Sequence, residues 1–217
     1  MSGGDGASRA LRAVVSDFGG VLTTPLLEAF SRANAEIGVP ADSLRAAMRL
    51  SAERADEPPL FTLERGQMTE PEFLADLGES LREVLGRPVD LDGYGARLMN
   101  ALDRNEPLLA YFRTLHSQGV RFAILTNNVR EWQPLWRARL AADDLFELIV
   151  DSGFEGVRKP EPEIYARVLE RLELPGGACA FLDDLEVNLP PAREAGMHAI
   201  HYRDAEQAIA ELDALFG

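Results

Sequence analysis

The stretch VVSDFGGVLTT, residues 14–24, decides the fold of this chain. Two valines lead towards an acid, Asp17, and the chain then breaks at Gly19 and Gly20 before apolar residues return. The valines favour a buried strand, and the glycines favour a tight turn directly after it. A lone Asp before a glycine turn is most often turn chemistry, so the role of Asp17 depends on what the other strands place beside it.

Strand and helix patterns alternate regularly through the second half of the sequence. Apolar runs such as VRFAILT predict buried strands, and the amphipathic segments between such runs predict helices. This alternation predicts an α/β fold, a Rossmann-like parallel sheet with helices on both faces. The predicted strands cover residues 11–16, 120–126, 146–150, 178–182 and 198–202, and the predicted helices cover 106–117, 130–142, 162–172, 189–196 and 205–216.

An almost entirely helical block interrupts this pattern between the first and second predicted strands. Thr69 and Glu72 have the spacing of a capping box and predict the start of one of its helices. We therefore expect an α/β core formed by residues 1–24 and 104–217, with an inserted α-helical domain at residues 25–103.

Composition limits the partners of the chain. Acidic residues outnumber basic ones 36 to 22, for a net charge of −14, and such a surface repels nucleic acids and anionic lipids. Cys179, the single cysteine, lies in an apolar run and is interpreted as a buried small residue in a reducing compartment. No apolar stretch reaches the roughly 18 residues of a membrane span, and none near the N-terminus is typical of a secretory signal. We expect a cytoplasmic protein with loose first residues that acts on a small molecule.

Chemically active side chains follow three of the predicted strands. Asp17 follows the first strand, Thr126 ends the second, and the pair Asp183 and Asp184 follows the strand that begins at residue 178. The carboxyl ends of parallel strands line the ligand crevice of an open sheet, so these groups can converge. Considered singly, each has an ordinary explanation as a turn or a helix cap, and only their joint placement favours a site.

Three crowded carboxylates would repel one another unless a cation lies among them. Oxygen ligands favour a hard ion, and Mg²⁺ is the natural candidate. Lys159, the Thr126 hydroxyl and the backbone amides around Gly20 could hold an anionic group at the same point. A metal, an anion clamp and a free carboxylate together indicate phosphoryl transfer through an aspartyl-phosphate, with a small phosphorylated molecule as substrate.

The sequence also resembles the haloacid dehalogenase-like hydrolase superfamily. Four motifs appear in the order and spacing of that superfamily: DFGGVLT, ILTNN, RKPEPEIY and FLDDLEVN. The resemblance covers essentially the whole chain, and it makes the helical block the superfamily's helical cap.

The resemblance also implies roles for particular residues. Asp17 would be the nucleophile, Thr126 would hydrogen-bond the transferring phosphoryl group, and Lys159 would neutralise the charge that they share. Mg²⁺ would be bound by Asp17 and Asp184, by Asp183 directly or through water, and by the carbonyl of Gly19.

Two asparagines complete the set that the resemblance implies. Asn188 would support the loop of the fourth motif. Asn127 would steady the nucleophile loop and lie with Thr126, Lys159 and Gly20 around the phosphate.

One position departs from the superfamily's phosphatases. They usually carry a second aspartate two residues after the nucleophile as general acid and base, and Gly19 stands there in this chain. Loss of a general acid typically costs about 10²- to 10⁴-fold in rate. A good leaving group or a residue of the helical block, Glu64 or Glu70, could compensate, although a solvated helix end is the usual role of a glutamate in such a place.

Three functions remain open from the sequence. The first is a Mg²⁺-dependent phosphatase that hydrolyses a small phosphomonoester. The second is a metal-independent dehalogenase of 2-haloacids, whose superfamily members lack the second acid. They carry a tyrosine where this chain has Gly19. The third is a binding or regulatory module that has lost turnover.

Overall fold

The computed structural model describes residues 11–216, so the expectation of loose first residues falls largely outside the described part. Five parallel strands form one sheet in the order β3-β2-β1-β4-β5. The strands are β1 (Ala13–Ser16), β2 (Arg121–Thr126), β3 (Leu148–Asp151), β4 (Cys179–Asp183) and β5 (His198–His201).

The helices divide between the β1–β2 connection and the rest of the chain. The connection holds α1 (Leu26–Glu36), α2 (Ala41–Glu53), α3 (Pro59–Glu64), α4 (Glu70–Leu85) and α5 (Tyr94–Asn100). The rest holds α6 (Glu106–Ser117), α7 (Gln133–Leu140), α8 (Ser152–Glu155), α9 (Pro162–Leu172), α10 (Leu189–Glu194) and α11 (Ala205–Phe216).

The sheet is buried on both faces, as a parallel sheet requires. Consecutive residues of β1 point to opposite sides: Val14 joins the cluster that contains Phe112 and Phe122, whereas Val15 joins the cluster that contains Tyr165 and Phe181. Helices cover both faces of the sheet. A ligand can therefore reach the sheet only at the ends of the strands.

The predicted α/β fold class is confirmed, and all five strands lie close to their predicted positions. The first and the third begin at Ala13 and Leu148, each two residues later than expected. Thr69 and Glu72 form the predicted capping box at the start of α4. Cys179 is buried in β4, as the sequence indicated.

Three short helices, α3, α5 and α8, were not predicted. They have only six, seven and four residues. Segments of this length show too little periodicity to be distinguished from loops, and tertiary packing stabilises them. Within residues 11–216, no helix combines the length and the apolar character needed to cross a bilayer.

Candidate active site

The site lies at the carboxyl end of β1, the central strand of the sheet. The register pairs Ser16 with Leu182 of β4, so Asp17 and Asp183 stand side by side at the ends of neighbouring strands. The Asp17 amide also donates to the Leu182 carbonyl, at 2.8 Å, which extends the pairing to the first residue after β1. The sequence-predicted convergence at this sheet edge therefore follows from strand register.

Asp17, Asp183 and Asp184 form a carboxylate cluster, in which one oxygen of each residue lies within 4.8 Å of the others. The Lys159 ammonium group is fully buried beside it, 2.9 Å from Asp17 Oδ1 and 2.6 Å from Asp183 Oδ2. Lys159 is the only lysine in the sequence. One ammonium faces three carboxylates, so the cluster has an uncompensated acidic excess.

The two aspartates of the fourth motif have different surroundings. Asp183 is fully buried, and its Oδ1 accepts hydrogen bonds from the Leu185 amide and from Asn188 Nδ2, both at 2.9 Å. Asp184 is half-buried, and no side-chain donor within residues 11–216 hydrogen-bonds to its carboxylate. Asp184 is therefore the carboxylate with the most free lone pairs for a cation.

Burial sets the protonation of the cluster. Burial raises the pKa of Asp17 to about 7. The positive charge of Lys159 lowers this pKa, but the negative charges of Asp183 and Asp184 partly cancel that effect. Burial and the neighbouring Asp183 also raise the pKa of Asp184. Burial disfavours the charged Lys159, but Asp17 and Asp183 outweigh it and raise the pKa of the lysine. A positive charge at the cluster would favour the ionised carboxylates.

Gly20 allows the turn after β1 to approach this cluster. Its φ of +86° lies in the left-handed region, and a Cβ at this position would lie 2.4 Å from Asp184 Oδ2. Any side chain would therefore clash with the carboxylate. Asp17 Oδ1 accepts from the Phe18 amide at 2.7 Å and from Lys159, so the other oxygen, Oδ2, is the one that faces no such donor.

The asparagines of the predicted site have structural partners. Asn188 contacts Asp183, in the loop where the resemblance placed it. The Asn127 side chain hydrogen-bonds the backbone of the lysine segment. Its Nδ2 donates to the Lys159 carbonyl at 2.9 Å, and its Oδ1 accepts from the Lys159 amide at 2.8 Å. Asn127 therefore holds the lysine segment, since both ends of its amide are engaged there.

Thr126 and Gly19 both line the cavity above the carboxylate cluster. Gly19 does not have a positive φ, so its backbone would accept a side chain. The space is occupied instead: a Cβ at Gly19 would lie 2.9 Å from three carbon atoms of the Leu26 side chain. Leu26 thus occupies the position next to Gly19 into which an acidic side chain would project.

The two glutamates considered as substitute acids occupy different places. Glu64 lines the cavity and forms an ion pair with Arg158, at 2.6 Å, in which both side chains are largely buried. Burial raises the pKa of Glu64, and Arg158 opposes this. The interpretation of Glu64 as a solvated helix end is wrong, because its side chain is largely buried against Arg158. Sequence reasoning missed this partner. Glu70 begins α4 and does not line the cavity.

A cavity of about 820 Å³ lies between the carboxylate cluster and the helices of the β1–β2 connection. Most of the connection's side chains that line it are apolar. We call six of them the apolar wall: Leu26, Phe30, Leu44, Met48, Leu60 and Leu98. The cavity therefore has a charged end at the sheet and an apolar end at the helices.

The sequence profile of the haloacid dehalogenase-like hydrolases matches residues 11–196. This range contains the carboxylate cluster, Lys159 and the helical connection. The chain belongs to the haloacid dehalogenase-like hydrolase family.

Three curated relatives illustrate the range of proteins that carry this domain. The chain is 30% identical to mouse (Mus musculus) acyl-CoA dehydrogenase family member 10 and 30% identical to rat (Rattus norvegicus) bifunctional epoxide hydrolase 2, in each case over 96% of its length. It spans only 19% and 39% of those two relatives. It is also 32% identical to the sesquiterpene phosphatase astK of Aspergillus oryzae, over 51% of this chain and 56% of the relative.

Solved structures share the fold at lower identity. A haloacid dehalogenase family enzyme from Bacteroides thetaiotaomicron, solved as a magnesium complex, superposes with a TM-score of 0.63 at 22% identity, covering 94% of this chain and 98% of the other. An L-2-haloacid dehalogenase superposes with a TM-score of 0.69 at 16% identity, covering 94% and 99%. At these identities the likeness shows the shared fold.

Proposed function

We propose that this chain is a Mg²⁺-dependent phosphatase that hydrolyses a phosphomonoester through an aspartyl-phosphate on Asp17. The observation that carries the proposal is the carboxylate cluster itself, in which three acids meet at the end of the central strand beside one buried lysine. The helices at residues 25–103 would act as the cap that selects the substrate, over a core formed by the remaining residues.

The residues fit a hard divalent cation. The cluster offers an oxygen from each of Asp17, Asp183 and Asp184, and Asp184 has no competing side-chain donor within residues 11–216. These carboxylates, with the Gly19 carbonyl as a further oxygen, would hold Mg²⁺. When bound, the ion would keep the carboxylates ionised and offset the charge of the phosphoryl oxygens.

The chain's own residues would carry the reaction in two displacements. Asp17 Oδ2 attacks phosphorus, and the bond from phosphorus to the leaving oxygen breaks with its electron pair on that oxygen, which takes a proton from water. A water molecule then attacks the phosphorus, the bond to Asp17 breaks, and the carboxylate and inorganic phosphate are regenerated. Lys159 and the Thr126 hydroxyl would bind the phosphoryl oxygens, with the Gly20 amide, and Asn127 would keep the lysine segment in place.

Departure of the leaving oxygen is the step of this reaction that Gly19 and Leu26 leave without a general acid. An acid at position 19 would protonate that oxygen, but Leu26 occupies the space. Without such help, the rate depends strongly on how well the leaving group bears negative charge. We therefore expect aryl phosphates to be hydrolysed much faster than alkyl phosphates.

Dehalogenation is the second candidate, and the missing acid at Gly19 is the observation that favours it. A carboxylate displaces halide without protonating a leaving group, and one solved neighbour is named as a haloacid dehalogenase. The carboxylate cluster argues against this activity, because two further acids beside Asp17 would repel an anionic haloacid. A binding module without turnover is supported by Gly19 alone.

Phosphate release from 4-nitrophenyl phosphate tests the proposal, measured with Mg²⁺ and with a chelator. The wild type should turn over only with the metal, and Asp17→Asn should lower kcat by at least about 10⁴-fold. Asp151→Asn is the matched control, because Asp151 is a buried carboxylate at the end of β3, two strands away from β1, and lies outside the cluster.

Two other outcomes would contradict the proposal. Halide release from a 2-haloacid, insensitive to the chelator and lost in Asp17→Asn, would establish the dehalogenase. Failure to release either phosphate or halide would favour the binding module.

A further inference from the structure

We propose that the substrate of this site is a phosphate ester with an extended apolar group, and that this group fills the cavity against the apolar wall. The inference rests on the proposed function for its phosphate end, which would lie at the carboxylate cluster. The apolar end is inferred independently, from the lining of the cavity.

The apolar wall is wide and comes from several helices. Leu26 and Phe30 belong to α1, Leu44 and Met48 to α2, and Leu60 to α3. Several of these side chains are only partly buried although they face the interior of the protein, so they keep apolar surface that a ligand can cover. Covering such surface is favourable in proportion to its area.

Most polar groups in the same part of the cavity already have partners, and Arg49, which also lines it, is exposed to solvent. Ser31 Oγ donates to the Leu27 carbonyl at 2.9 Å, and the Tyr94 hydroxyl donates to Asn34 Oδ1 at 2.9 Å. Glu64 is paired with Arg158. A substrate rich in hydroxyl groups, such as a sugar phosphate, would lose its hydrogen bonds to water and form few hydrogen bonds to the cavity.

The opening of the cavity has the same character. Leu27, from the helical connection, and Leu185, from the loop after β4, both line the cavity and are 68% and 53% exposed. They would give an apolar group a continuous path from solvent to the apolar wall.

The size of the cavity allows more than a phosphate group. Its volume of about 820 Å³ lies in the upper part of the range of roughly 300–1,000 Å³ for small-molecule sites. A phosphoryl group at the carboxylate cluster would leave most of this space to the organic part of the ester. The affinity should therefore increase with the length of that part until the cavity is filled.

Binding of non-hydrolysable phosphonates tests the inference separately from turnover. The probes are methyl-, butyl- and octylphosphonate with Mg²⁺, measured by calorimetry below their micellar concentrations, with 3,4-dihydroxybutylphosphonate as the polar match of the butyl compound. We expect Kd to fall by about fourfold for each added methylene group that is buried, and the dihydroxy compound to bind more weakly than butylphosphonate.

Met48→Gln locates the effect on the apolar wall. The substitution is nearly isosteric and adds only polarity, so it should flatten the dependence of Kd on chain length and leave methylphosphonate binding unchanged. Met48→Leu should restore the dependence. Leu50→Gln is the matched control, because Leu50 lies in the same helix but does not line the cavity.

Chain-length-independent affinity, tighter binding of the dihydroxy compound, or no binding of any phosphonate would each overturn the inference. Increasing affinity in a protein that releases no phosphate would support the apolar site and contradict the phosphatase. Turnover of 4-nitrophenyl phosphate without any effect of chain length on Kd would support the phosphatase and contradict the apolar site. The two proposals can therefore fail independently.

Discussion

The carboxylate cluster and the apolar wall face each other across one cavity, but they are built on different principles. The cluster consists of three carboxylates with one oxygen each within 4.8 Å of the others, and strand register places Asp17 and Asp183 side by side. The wall consists of side chains from four helices that share only their apolar character. Under the proposed function the sheet edge carries the chemistry and the helices select the substrate, so we expect substitutions in the cluster to have larger effects than substitutions in the apolar wall.

The largest effect is expected at the cluster, from Lys159→Met. The substitution removes the one cation from between Asp17 and Asp183, so two buried carboxylates lose their partner. Breaking a buried pair in this way costs about 3 to 5 kcal/mol of unfolding free energy. Phosphate turnover should fall by at least about 10²- to 10³-fold.

Urea denaturation and steady-state kinetics measure the two effects of Lys159→Met. Lys159→Arg is the control, because it keeps the charge but not the compact ammonium group, and it should recover more stability than activity. A fully active Lys159→Met enzyme would show that the cluster does not work as proposed.

Gly19→Asp should restore a general acid, provided that Leu26 makes room. The single substitution places its Cβ against Leu26, so we expect a small gain or none. Combined with Leu26→Ala, it should raise kcat for an alkyl phosphate by about 10- to 10²-fold over Leu26→Ala alone, and by less for an aryl phosphate. An equal gain for both substrates would contradict the idea that the missing acid limits departure of the leaving group.

Glu64→Gln tests the ion pair that joins the helices to the lysine segment. Arg158 would keep its stacking on Phe61, at 3.9 Å from the ring centre, but lose its charged partner. We expect the unfolding free energy to fall by about 1 to 2 kcal/mol, with Glu70→Gln as the control outside the cavity. If Glu64 instead protonated the leaving group, Glu64→Gln would slow alkyl phosphates far more than aryl phosphates.

The smallest effect is expected outside both regions, at Asp151. Burial raises its pKa to about 6, against the hydrogen bonds from Gln133 and the Gly153 amide, so the folded protein binds this proton more tightly than the unfolded chain does. The resulting stabilisation is present at low pH and is lost as the pH rises through about 6. The group should contribute about 1 kcal/mol more to the unfolding free energy at pH 5 than at pH 7.

Urea denaturation of the wild type and of Asp151→Asn at both pH values checks this contribution. The difference between the two proteins should shift in favour of the variant as the pH rises. A difference that does not change with pH would show that Asp151 stays ionised throughout.

Sequence reasoning identified the sheet and most of the residues at its edge. Alternating apolar runs and helical segments are local signals, and the rule that parallel strands end at one edge then brings Asp17, Thr126 and Asp183 together without any knowledge of side-chain contacts. It missed α3 and α5, whose few residues carry little periodicity. It did not reveal that both ends of the Asn127 amide bond to the Lys159 backbone, because an amide can bond to any nearby backbone and only the folded chain shows which partner it meets.

The sequence by itself determined the family, the chemically active side chains that follow the strands, and the absence of an acid at position 19. These depend on residue identity and on spacing along the chain. Only the tertiary structure decided that Leu26 fills the space beside Gly19, that Arg158 neutralises Glu64, and that apolar side chains from four helices enclose one cavity. Each of these is a contact between residues separated in the chain, and helical periodicity shows which residues share a face but not what that face meets.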